Sequence, residues 1–143
     1  MYAVIRLRGL VGLRKDIVDT LAMLRLHRKM HCVLLKKDEN MLGMIRKVKD
    51  YVTWGEIDED TLKLLIQKRG RKEGNKRLET SEAEVIFDKI MADKEFKGTL
   101  GIIPVFRLTP PSGGFKKSIK QHYPKGELGC RQEKINELLK RMI

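Results

Sequence analysis

The chain is poor in aromatic residues, 6% of 143 with a single Trp, and it has only two cysteines, Cys32 and Cys130. So few aromatic rings argue against base stacking as the main source of any binding energy. Two distant cysteines without a CxxC partner exclude a disulfide scaffold and a zinc knuckle, and they point to reduced thiols in a cytoplasmic setting. The longest uncharged, mostly apolar stretch, residues 98–106, is broken by Pro104. It falls far short of the roughly 20 residues that a membrane-spanning helix needs. Arg6 and Arg8 arrive before a signal-peptide apolar region can develop, so a soluble protein with no membrane partner is expected. No GxxxxGK[ST] phosphate loop and no aromatic RNP signature occur, and no cofactor is implied.

What is abundant is positive charge. Lys and Arg number 31 against 19 Asp and Glu, a formal net charge of +12. Residues 1–57 carry +6, residues 58–97 are neutral, and residues 98–143 carry +6 again. Inside the neutral stretch, residues 68–77 hold six cations against Glu73 alone. A polyanionic partner is expected, nucleic acid ahead of an anionic membrane surface. The 41% of apolar residues is enough for one real core in a chain of this length.

The apolar pattern predicts β-α-β-α-β over residues 1–57. Residues 2–8 alternate as a strand, with Ala3, Ile5 and Leu7 toward a core and Arg6 and Arg8 toward water. Residues 16–27 carry a helical stripe capped by Asp16, residues 32–35 read as a buried strand, and Asn40 can cap a second helix. Residues 51–57 are rich in β-formers and close the unit. Its expected interior is Ile5, Leu7, Ile17, Leu21, Leu24, Val33, Leu35, Ile45 and Val48. Two helices on one face of a small sheet is the economical packing, an α+β arrangement.

Residues 58–143 read as an extension. Residues 58–68 are helical and residues 69–76 form a loop. Ser81 and Glu84 have capping-box spacing ahead of a helix with Val85, Ile86, Phe87, Ile90 and Met91 on its face. Residues 104–129, rich in Pro and Gly, have too few apolar anchors to bury themselves. Residues 132–142 end the chain as a short amphipathic helix.

Candidate chemistry is sparse. Gly9/Gly12 and Gly98/Gly101 have the GxxG spacing of KH clamp loops, but the residues between them are not the polar or basic ones that clamp uses, and ordinary turns are the better reading. Asp58, Glu59 and Asp60 stand directly before a helix, where acidic residues cap it. His27 and His31 share i,i+4 spacing without a third ligand, so no metal is expected. No pair of residues supports nucleophilic or acid–base catalysis. The cations remain. Arg8, Arg14, Lys15, Arg25, Arg28, Lys29, Arg46, Lys47 and Lys49 are the RNA-binding candidates of the first unit. Lys68, Arg69, Arg71, Lys72, Lys76 and Arg77 form the central basic loop; Arg107, Lys116, Lys117, Lys120, His122, Lys125 and Arg131 belong to the Pro/Gly-rich segment.

The strings AVIRLRG (3–9), LRLHRKMHCV (24–33), GMIRKVKDYVTWGEI (43–57), KRGRKEGNKRL (68–78), FRLTPPSGGFKKSIK (106–120) and INELLKRMI (135–143) resemble those of the family of large-ribosomal-subunit protein thirty in its archaeal form, related to eukaryotic large-subunit protein seven. The resemblance covers essentially the whole chain. It implies a largely antiparallel sheet with two helices on one face, akin to a ferredoxin-like fold, with residues 1–57 as the RNA-binding core and an archaeal-type extension over 58–143. It also implies no catalysis, a ribosome-bound cytoplasmic location, and large-subunit rRNA and neighbouring large-subunit proteins as partners, close to the 5S rRNA. Two rivals stand beside this reading: a free-standing RNA-binding regulator or RNA chaperone, and an RNA-modifying enzyme for which no site is found.

Overall fold

A computed structural model describes residues 1–93 and 101–143. The first five elements follow the predicted order: β1 (Tyr2–Arg6), α1 (Lys15–Met23), β2 (His31–Leu35), α2 (Glu39–Lys47) and β3 (Val52–Glu56). Then come α3 (Glu59–Arg69), α4 (Thr80–Asp93), β4 (Phe106–Arg107), β5 (Ser118–His122), β6 (Gly126–Cys130) and α5 (Ile135–Met142). The fold is α+β. Its sheet has six strands in the order β4-β2-β1-β3-β6-β5. The central strand β1 pairs antiparallel with β2 and β3, β4 adds antiparallel to β2, and β6 adds parallel to β3. β5 lies beside β6 in a parallel pairing with a shifted register.

Strand alternation sends β1 and β2 to two cores. Val4, Val33, Val52 and Trp54 pack with Leu21, Leu24 and Leu26 around the end of α1 and with Ile45 and Val48 of α2. Ala3, Ile5, Leu7, Cys32 and Leu34 face the other way, against Leu62, Leu65 and Ile66 of α3, Ile86 and Ile90 of α4, and Leu138, Leu139 and Met142 of α5. β1 is therefore buried on both faces, which corrects the expectation that Arg6 faces water: Arg6 is 1% exposed. Ile5 and Leu7 are buried as expected but in the second core, while Ile17 and Leu35 are only partly buried. Helices of the extension cover the sheet face that a 57-residue unit would leave open, so the alternate residues also need apolar neighbours.

The Pro/Gly-rich segment is a second correction. It is not irregular throughout, because β4 and β6 borrow backbone partners from the edges of β2 and β3. Gly55 in β3 lets the chain pack closely there. A Cβ at this position would stand 2.0 Å from the Gln132 carbonyl oxygen, where the short 3-10 turn Gln132–Lys134 leads into α5.

Helix ends also differ from expectation. Arg14 occupies the N-cap position of α1 and Asp16 lies in its first turn, 2.7 Å from the Arg14 guanidinium. α1 stops at Met23, not at residue 27, because Arg25 adopts φ 61°. Its N–H donates to the Ala22 carbonyl at 2.9 Å and that of Leu26 donates to the Leu21 carbonyl at 2.9 Å, the two bonds of a Schellman cap. Asp38, not Asn40, precedes α2 at the N-cap position. At α4 the Glu82 carboxylate accepts from the Glu79 N–H at 3.1 Å, so the box lies two residues before Ser81 and Glu84, and Val85 is 53% exposed. Asp58 does cap α3, accepting from the Thr61 N–H at 2.9 Å.

Candidate nucleic-acid interface

The sheet and its helices have two unlike ends. β1 ends, and β2, β3 and β6 begin, at one of them, since Arg6 stands opposite Val52 and Ile5 opposite Cys32. α2, α3 and α5 all finish toward this end, with Arg46 and Lys47, Lys68 and Arg69, and Lys140 and Arg141 in their last turns. Cations there offset the partial negative charge of a helix C-terminus. The loops add more: Arg8 after β1, Arg14 and Lys15 entering α1, Arg28 and Lys29 before β2, and Lys49 before β3. Arg107 of β4 stands in register with His31. Arg8, Arg69 and Arg141 are half-buried and the other cations named are exposed.

Arg6 holds this end together from inside. Its Nε donates to the Arg8 carbonyl at 2.9 Å and its Nη1 to the Leu26 carbonyl at 2.7 Å, joining the β1–α1 and α1–β2 loops. Burial pulls its pKa down from the ordinary arginine value. The N–H groups of Leu7 and Arg8 donate to the Tyr51 carbonyl at 3.0 and 3.3 Å, which ties in the α2–β3 turn, and the Arg8 guanidinium lies 5.3 Å from the centre of the Tyr51 ring. His122 of β5 reaches the same turn through Asp50, 2.7 Å away. His31 registers the local field: burial first, and then the charges of Arg107, His27, Arg28 and Arg6, lower its pKa.

The central loop joins from the second face. Arg69 donates to the Ile143 main-chain oxygen at 2.8 and 3.1 Å and to Thr109 Oγ1 at 3.1 Å. Residues 109–114 wrap the last turn of α5, held by the Arg141 guanidinium on the carbonyls of Ser112 and Gly114. Lys68, Lys76, Arg77, Lys116, Lys120 and Lys125 are exposed, and Arg71 is half-buried in a β-bridge with Arg77.

Further candidates also have partners within the chain. Arg131 is 8% exposed; it pairs with the buried Glu127 carboxylate, donates to Thr53 Oγ1 and the Glu127 carbonyl at 3.0 Å each, and lies over the Tyr123 ring. It fastens β6 to β3 and is no longer a candidate contact. Lys72 pairs with Glu82, and Lys117 donates to the Pro124 carbonyl at 2.5 Å while lying 5.0 Å from the Tyr123 ring centre. Gly9 and Gly12 belong to a strand-to-helix turn, while residues 98–100 of the second GxxG lie outside the described residues. Among the described residues no three His, Cys, Asp or Glu side chains stand together as a metal site. No described helix is long and apolar enough to cross a membrane.

Comparison with known proteins gives the family. The family model described as ribosomal protein L30p/L7e matches residues 2–52. Proteins named large ribosomal subunit protein uL30 match far more of the chain. That of Methanococcus maripaludis is 50% identical over 152 aligned positions, covering 99% of both chains. That of Nanoarchaeum equitans is 47% identical, covering all of this chain and 99% of its own, and that of Archaeoglobus fulgidus is 45% identical over 99% of both. The chain belongs to the ribosomal protein L30p/L7e family. It is therefore a ribosomal protein and not an enzyme. The L30p/L7e match runs from β1 through α2 and stops at the first residue of β3, whereas the alignment with the archaeal relatives continues through the extension. Sequence reading missed Arg6 and Arg141 as organisers of the basic end. Arg6 sat at an alternation position that reads as solvent-facing, and Arg141 looks like any cation in a C-terminal turn.

Proposed function

We propose that this chain is a structural constituent of the large ribosomal subunit that binds rRNA through the basic end of its sheet. Its mechanism is phosphate neutralisation where RNA helices approach one another, with residues 1–57 as the RNA-binding core and residues 58–143 as an extension that adds the central loop and the Pro/Gly-rich wrap. Large-subunit rRNA near the 5S rRNA and neighbouring large-subunit proteins are its partners, and the cytoplasm is its location. One observation carries this reading: the topology gathers exposed cations from six separate chain segments at one end, while only some of them stand at helix C-termini and so have a structural reason to be there.

Fractionation of a cell lysate on a sucrose gradient tests it. The chain is expected with the large subunit, and in the free-protein fractions after the subunits are stripped with high salt. Recovery only in free fractions at low salt would favour the free-standing RNA-binding regulator.

A further inference from the structure

The loop between β1 and α1 ends in an exposed apolar tip. Val11 is 100% exposed and Leu10 is 45% exposed, in a chain whose leucines and valines otherwise largely fill the two cores. The tip is held in shape. The Leu13 N–H donates to the Leu10 carbonyl at 3.3 Å, Gly12 takes φ +74°, and Arg6 anchors the base of the loop from beneath. Cations surround it: Arg8, Arg14 and Lys15 flank it in sequence, and the Lys29 stem lies against Gly9, where an added Cβ would meet it at 3.2 Å. The Asp16 carboxylate beside it in sequence is paired with Arg14.

We propose that Leu10 and Val11 form an apolar wedge that inserts between bases of the RNA held by the surrounding cations, an inference that rests on the RNA-binding reading above. Aliphatic side chains set among basic residues can part neighbouring bases, with the phosphate contacts supplying the attraction that offsets unstacking. Charge complementarity selects this occupant, since an apolar groove on a protein would leave the ring of cations unmatched. Two aliphatic side chains are also too little apolar area to anchor a chain in lipid.

The test uses the full chain, RNA extracted from large ribosomal subunits, and affinity measured across a salt series. Leu10→Ser with Val11→Ser should keep the parental melting temperature, weaken binding by about tenfold, and leave the slope of log K against log[salt] unchanged. Leu10→Met with Val11→Ile should bind within about twofold of the parent, and Val85→Ser, another exposed valine, should bind as the parent does. A benzophenone amino acid at position 11 should cross-link to nucleobases. A parent that fails to bind the RNA overturns the binding reading and the wedge together. A parent that binds, beside a double-serine variant that binds equally well, overturns the wedge alone. Loss appearing as a reduced salt slope would mean that the tip only positions cations, which also overturns it. Sedimentation with phosphatidylglycerol vesicles that requires Leu10 and Val11, with RNA affinity unaltered, would assign the tip to a lipid surface instead.

Discussion

The two ends of the sheet use charge in opposite ways. Where β3 ends and α2, α3 and α5 begin, the carboxylates have structural work: Asp58 caps α3, Glu59 and Asp60 sit in its first turn, Glu137 sits in that of α5, and Glu56 pairs with Lys37 at 2.5 Å. Asn136 knits the same end, donating to the Glu56 carbonyl at 3.0 Å and accepting from the Asp58 N–H at 3.1 Å. The opposite end also has cations that complement helix dipoles, but it adds Arg8, Arg28, Lys29 and Arg107 from loops and a strand, where no dipole calls for them. An acidic end that folding explains and a basic end that folding explains only in part teach where a ligand is needed. Under the function proposed above, the surplus is the side offered to a polyanion.

Breaking the core beneath the basic end should have the largest effect. Leu21 closes the Schellman cap of α1 against Leu26, and both are buried. Leu21→Ala should cost roughly 2–5 kcal/mol in urea unfolding. A cost under about 0.5 kcal/mol would show that the cap is not packed as described.

Arg6 comes next. Arg6→Met fills similar volume but leaves the Arg8 and Leu26 carbonyls without their donor, so about 2–3 kcal/mol of stability should be lost. Hydrogen exchange should quicken in both joined loops and not at the acidic end. Uniform quickening would mean that Arg6 serves the whole fold and not this end.

Arg25 sharpens the comparison through its backbone. A non-glycine residue at φ 61° is strained, and among the described residues its exposed guanidinium has no hydrogen-bond or ion-pair partner that would repay the strain. Arg25→Gly should stabilise the protein by about 1 kcal/mol in urea unfolding. Equal or lower stability would show that the left-handed backbone at this position is not strained.

The smallest expected effect is a pH dependence. The folded state lowers the pKa of His31, so it binds fewer protons there than the unfolded chain does. Stability should therefore fall as the pH drops below the ordinary histidine value of about 6.5. His31→Gln should flatten that part of the pH–stability curve, and an unchanged slope would place the titration elsewhere.

How much of this was legible in the sequence follows from which interactions are local. The βαβαβ order, the α5 stripe and the Asp58 cap depend on near neighbours, and periodicity or spacing reveals them. The burial of Arg6 depends on Leu26, 20 positions away on the face that α1 and α2 cover, and that of Arg131 on Thr53, 78 positions away. No pattern inside a short window encodes such contacts. For the same reason the candidate cations could be named individually, while their convergence at one end waits on the register of β1, β2 and β3.

The central claim is tested most directly by comparing the two ends in one salt series. Arg46, Lys47 and Lys49, all exposed, would be replaced together by Ala; in a separate variant Asp58→Asn, Glu59→Gln and Asp60→Asn keep a capping side chain and remove the charge. With large-subunit RNA, the cation variant should bind more weakly, with a log K against log[salt] slope shallower by about 2, at roughly 0.7–0.9 per lost phosphate contact. The acidic-end variant should bind as the parent does or slightly tighter. An unchanged slope in the cation variant, or loss of binding on neutralising the acidic end, would contradict the account.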